Sequence, residues 1–185
     1  MSSGRSNKLT AQIGEYLVCA ELGKRKLIAT PFAGNVPAFD VLATDEYCRT
    51  VPIQVKASRG KNYNWPSDAR TWLNIQFNEK TKAQKNLGRV KIKNPDLIYV
   101  FVAIAPDAHS KDRFFILTKS QLQNVCIKRY SEWMDKREWK RPRAPESYDC
   151  RFWISDVLNY ENNWDLISSR LKSSSPDQSL ETVEE

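Results

Sequence analysis

The chain predicts an α/β sandwich with a mixed central sheet, and three observations carry that prediction. A helical stripe opens the sequence and short alternating segments follow it. The apolar segment Leu97–Ala105, bounded by Pro95 and Pro106, fits a strand covered on both faces, and a second helical pattern comes after the next strand. In the first element, Leu9, Ile13, Leu17 and Ala20 form one stripe and Ala11, Val18 and Leu22 its neighbour, which predicts a helix from Leu9 to Lys26. Glu15 belongs to the second stripe. An acid there faces protein rather than water, which is costly unless a group pairs with it; the alternative is a Lys on its own helix. Leu27–Thr30 reads as a short strand. Phe39–Ala43 and Val51–Ala57 are clear strands, separated by a hairpin-length loop over 44–50. Thr71–Phe77 alternates as a further strand with Asn74 and Gln76 on one face, and the polar run Asn78–Leu87 is read as a helix. Arg113–Thr118 reads as a strand, Lys119–Met134 as a helix and Arg151–Ile154 as a strand, with helical turns expected over 155–158 and 163–171.

Composition narrows the function classes. The 185 residues suit one domain, taken as 1–172, followed by a Ser-rich acidic tail, 173–185, that is expected to be disordered. The net charge is +7. Because the tail holds Asp177, Glu181, Glu184 and Glu185 and no cation, residues 1–172 carry 29 Lys and Arg against 18 acids. Such a surface attracts a polyanion, since neutralising phosphates releases their counterions. No apolar run is long enough to span a membrane, and the polar Met1–Lys8 segment has no secretory pattern, so the expectation is a cytoplasmic protein. Cys19, Cys48, Cys126 and Cys150 never form a Cys-x-x-Cys pair and are read as buried thiols. With His109 as the only histidine, chemistry built on a His base or several His ligands is disfavoured.

The residues that carry chemistry lie in the two paired strands. Gln54 and Lys56 share one face of their strand while Ile53, Val55 and Ala57 take the other. If the preceding strand pairs antiparallel, Asp40 projects beside Gln54 and Lys56. A carboxylate, an amide oxygen and an ammonium at one sheet position suit phosphodiester hydrolysis, where a divalent ion needs hard oxygen ligands and room for water and phosphate. Asp40 is the charged ligand in this reading, and the Gln54 side-chain carbonyl and the Val55 backbone carbonyl are further oxygens. Lys56 orients or helps deprotonate the attacking water, and Glu15 binds the ion through water or accepts its proton. The bland alternatives are a surface salt bridge for Asp40 and Lys56 and a sheet-edge cap for Gln54.

Gly14-Glu15 on the first helix, Pro37-Ala-Phe-Asp40 and Gln54-Val-Lys56 resemble the PD-(D/E)xK nuclease superfamily, which includes restriction enzymes and archaeal Holliday-junction resolvases. The resemblance covers residues 9–58. It implies a restriction-endonuclease-like αβββαβ core with a mixed central sheet flanked by helices. It also implies a Mg²⁺- or Mn²⁺-dependent endonuclease acting on double-stranded DNA, in which Asp40 and Lys56 match the motif's Asp and Lys and Glu15 the helix acid. A homodimer would let two sites address two strands. Gln54 departs from the motif, which usually has Glu or Asp there, and so removes one negative charge; some branches of the superfamily resemble this Gln-x-Lys form and remain active.

Beyond the site, the segment 57–70 mixes Arg59, Lys61 and Arg70 with Tyr63 and Trp65. It is read as an arm that grips phosphate and stacks on bases, the alternative being that Tyr63 and Trp65 close over a local core. Two other functions stay open: a nuclease-fold module that binds DNA without cutting it, and a partner for an acidic protein.

Overall fold

The computed structural model describes residues 4–32, 38–60, 62–107 and 109–173; Pro37, Lys61 and the tail beyond Ser173 lie outside them. In chain order the elements are α1 (Gly4–Lys24), β1 (Ile28–Pro31), β2 (Val41–Thr44), β3 (Thr50–Arg59), β4 (Asn64–Asp68), β5 (Leu73–Asn78), β6 (Ala83–Arg89), β7 (Ile98–Ile104), β8 (Arg113–Thr118), α2 (Lys119–Asp135), β9 (Asp149–Trp153), α3 (Ile154–Val157) and α4 (Asp165–Ser173). The central sheet runs β1-β2-β3-β7-β8. Its β3–β7 pair is parallel and the other three are antiparallel, so it is mixed as expected.

Period-two alternation divides the interior into two layers. Val41, Ala43, Val51, Ile53, Val55, Ile98, Val100 and Val102 face Val18 and Leu22 of α1 and Ile167 and Leu171 of α4. On the other face, Phe101, Phe115 and Leu117 meet Leu122 and Cys126 of α2 together with Trp65, Phe152 and Val157. A third cluster joins Tyr130 and Met134 of α2 to Ala69, Leu73 and Cys150. Thr118 begins α2 with a capping box: its hydroxyl accepts from the Gln121 amide while the Gln121 side chain accepts from the Thr118 amide.

Most expected elements form, with bounds moved by a few residues. α1 starts earlier, at Gly4, because its first turns are polar and leave no apolar stripe to read; the Thr10 hydroxyl donates to Ser6 O there. The marked difference is the crossover from β3 to β7. The Asn78–Leu87 helix does not form; its residues end β5 and build most of β6, a hairpin whose turn is fixed by Asn78 Oδ1 accepting from the Lys80 and Thr81 amides. Asn64–Asp68, read as part of a loop, is a strand paired with β9. Of the cysteines, Cys126 and Cys150 are buried as expected, but Cys48 is exposed in the β2–β3 turn. Among the described residues no helix is long and apolar enough to cross a membrane.

Candidate active site

The predicted pairing of β2 with β3 forms in the register Val41↔Ile53, which sets Asp40, immediately before β2, alongside Gln54. The chain bends at Asp40. Its amide donates to Ile53 O on one side (2.9 Å) while its carbonyl accepts from the Phe32 amide on the other (2.9 Å). In a regular strand both groups of one residue point the same way, so this departure re-aims the side chain much as a bulge does. The Asp40 carboxylate turns toward β3, where its Oδ2 accepts from the Val55 amide (2.8 Å) and from the Gln54 side-chain NH₂.

Gln54 and Lys56 lie in register with Tyr99 and Phe101 of β7 and share their face of the sheet. Ile53 and Val55 point into the opposite, aliphatic layer. Since Ile53 O accepts from Asp40, the Val55 carbonyl, two residues on, leaves β3 along the same edge, where β2 has already turned away.

Glu15 enters from α1. A Cβ placed on Gly14 would stand 2.5 Å from the Ala57 Cβ, so the helix backbone rests on β3 at a distance only glycine permits. That approach holds the next residue, half-buried Glu15, within electrostatic reach of the sheet groups. Burial pushes its carboxyl above the ordinary value; the Asp40 carboxylate adds to the rise and the Lys56 ammonium opposes it. The structure therefore brings Asp40, Gln54, Val55 and Lys56 to one corner of the sheet, with Glu15 of α1 near enough for the charges of Asp40 and Lys56 to act on it. Two features were not foreseen. The Val55 amide anchors Asp40, which no side-chain pattern encodes, and Tyr99 stands opposite Gln54, its phenol raised first by burial and then by Asp40. A Tyr inside the aliphatic run Leu97–Ala105 was the available signal.

The expected 57–70 arm is not assembled as read. Trp65 is 2% exposed, edge-on to Phe101 and Phe115 and stacked on Phe152, so it is core and leaves the nucleic-acid set. The Tyr63 hydroxyl donates to Ile104 O (2.9 Å). Arg70 is paired with Asp68 (2.7 Å) and lies over the Tyr148 ring at 4.4 Å. Arg59 is exposed at the end of β3, and Lys61 falls outside the described residues.

Among the described residues no group of three or more His, Cys, Asp and Glu side chains comes together to hold a metal. The corner instead combines two acids with an amide and a backbone carbonyl, all hard oxygen donors of the kind Mg²⁺ takes.

No protein-family model matches the chain, and no curated protein does. Among solved structures, the bacterial homing endonuclease I-Ssp6803I is similar over 93% of this chain and 99% of its own, with a TM-score of 0.54 and 14% identity. The fold is restriction-endonuclease-like. The Holliday junction resolvase Hjc from Archaeoglobus fulgidus matches over 78% of this chain and 92% of its own, also at 14% identity; its TM-score of 0.36 is too low to carry an argument.

Proposed function

We propose that this protein is an endonuclease that hydrolyses phosphodiester bonds in double-stranded DNA with Mg²⁺ or Mn²⁺. The observation that carries the reading is the corner where Asp40, held by Gln54 and Val55, shares one electrostatic neighbourhood with Glu15 and Lys56. The donor chemistry fits the ion, since Mg²⁺ characteristically takes one or two carboxylates and completes its shell with water and substrate phosphate. Asp40 and Glu15 would hold it, with the Gln54 side-chain oxygen and the Val55 carbonyl as neutral donors. When bound, such an ion supplies positive charge to the scissile phosphate and acidity to a water.

The other work falls to the chain itself. The Val55 amide keeps Asp40 oriented, and Lys56 orients the attacking water and opposes the negative charge that develops on phosphorus. Arg59, exposed at the end of β3, contacts the DNA backbone, and Lys61 is assigned the same role from the sequence. The enzyme is cytoplasmic in this reading and acts as a homodimer with one site per strand.

The test is cleavage of plasmid and synthetic duplex or branched DNA. Wild-type protein nicks or cuts one of them in Mg²⁺ or Mn²⁺ and stops in EDTA. Asp40→Ala lowers the rate by about 10³-fold or more, with the fold retained and DNA binding unchanged. One observation favours a second reading, a DNA-binding module without catalysis: the neutral Gln54 donates to Asp40 where the motif has a second acid. Salt-sensitive DNA binding with no cleavage in either metal would establish that module in place of the enzyme.

A further inference from the structure

The β5–β6 hairpin belongs to no larger sheet; it is a two-stranded antiparallel ribbon inserted between β3 and β7. Its two faces differ. Ile75, Phe77 and Gln84 point inward. Gln84 is only 3% exposed, and its side chain donates to Pro145 O (2.8 Å) and Ser147 O (2.9 Å) while accepting from the Tyr130 hydroxyl (2.6 Å). Its amide donates to Trp139 O (2.8 Å). At the base of the ribbon, Gln123 of α2 donates to both Trp72 O and Val90 O, and the Arg89 guanidinium donates to Asn124 Oδ1. A buried amide satisfied at every position is a rigid fixture, because losing any one partner leaves a desolvated polar group.

The outward face is the opposite case. Gln76 and Lys85 stand directly across from each other, both exposed, and Leu87, two residues further along β6, is 55% exposed. At the tip, Lys80 is exposed and the Lys82 ammonium lies over the Phe77 ring at 6.0 Å. An amide, an ammonium and an apolar side chain project from a ribbon whose other side is fastened to the protein. The major groove of B-DNA admits a two-stranded ribbon and presents matching partners for these groups: adenine N6/N7 for an amide, guanine O6/N7 for a cation and the thymine methyl for an apolar side chain. The ribbon is fastened to α2, on the side of the sheet toward which Gln54 and Lys56 point.

We infer that the β5–β6 ribbon enters the DNA major groove and reads base sequence through Gln76, Lys85 and Leu87. The inference rests on the DNA-directed reading above and adds to it a sequence-reading element separate from the cutting corner.

The test selects bound duplexes from a pool of double-stranded DNA with a randomised segment, in Ca²⁺ to hold cleavage off, and sequences them for wild type, Gln76→Ala, Gln76→Glu and Lys85→Ala. Melting of each variant confirms folding, which these exposed positions leave intact. Wild type enriches a defined sequence. Gln76→Ala loses about 5- to 100-fold discrimination at one base position, Lys85→Ala does so at another, and Gln76→Glu changes the favoured base from adenine to cytosine at its position. A merely structural hairpin would not change base identity. Enrichment of the same sequence by wild type and variants overturns the inference, as does wild-type binding with no preferred sequence; in both cases Mg²⁺-dependent cutting of plasmid leaves the endonuclease reading standing. Absence of both binding and cutting removes that reading and this one together.

Discussion

The two faces of β3 are made from one run of ten residues, yet they answer to different demands. On one, Val51, Ile53, Val55 and Ala57 lie under α1 in the aliphatic layer. On the other, Gln54 is half-buried and Lys56 exposed. Gln54 is tied to a carboxylate, and Lys56 and Glu15 feel each other's charge. The strand takes its stability from one face, which leaves the other free to hold polar groups chosen for chemistry.

The sharpest way to break this comparison is to truncate neighbours on opposite faces. Lys56→Ala is expected to cut the cleavage rate by about 10²- to 10⁴-fold while shifting stability by no more than about 0.5 kcal/mol. Ile53→Ala, at a position with no exposure, is expected to lose about 2–5 kcal/mol in urea unfolding. Equal stability losses in the two variants would show that the faces are not divided in this way.

A smaller effect is expected where helix and sheet touch. Gly14→Ala forces a methyl against Ala57 and is expected to cost about 1–3 kcal/mol. Combining it with Ala57→Gly should recover most of that loss, which a double-mutant cycle measures directly. Without recovery, the contact would not be the reason for the glycine.

The smallest effect belongs to Glu15 and reads the polar side of the comparison. Its carboxyl is raised by burial and by Asp40, so the folded protein holds that proton to higher pH than the unfolded chain does. Stability contributed by this group is therefore present at low pH and falls as pH rises from about the ordinary value of 4.5 through the raised one. In EDTA, Glu15→Gln should flatten that fall, seen as a smaller drop in melting temperature across the interval. An unchanged profile would remove the electrostatic coupling.

The corner was legible in the sequence because period-two alternation and strand pairing are local. Once residues 39–43 and 51–57 read as a hairpin, Asp40 had to lie beside Gln54. Gly14 and Glu15 entered through helical spacing and the nuclease resemblance. The 57–70 arm and the Asn78–Leu87 helix did not form as read, for a common reason. Both are rich in cations and polar or aromatic groups, and composition does not say which of them find partners inside the protein. Trp65 found Phe101 and Phe152 through contacts that depend on β7 and β9 far along the chain, while Arg70 found Asp68 two residues away and the distant Tyr148 ring. Gln76 and Lys85 instead face outward because Gln84 anchors the other side, and residues 145–147 that receive it lie beyond any local pattern.

The parallel joint at the centre of the sheet sets an order on assembly. Residues 53–59 must wait for residues 98–104, with two other hairpin or strand partnerships inserted between them. Long-range parallel pairing of this kind forms late, because the intervening segment has to close before any ladder bond rewards it. During synthesis, a ribosome that has just delivered Lys56 has made every side chain of the corner, while the neighbour that braces β3 along its second edge has yet to be translated. Competence should then arrive in a single late step, and chains interrupted before Ile98 would carry the reactive groups with no frame to align them.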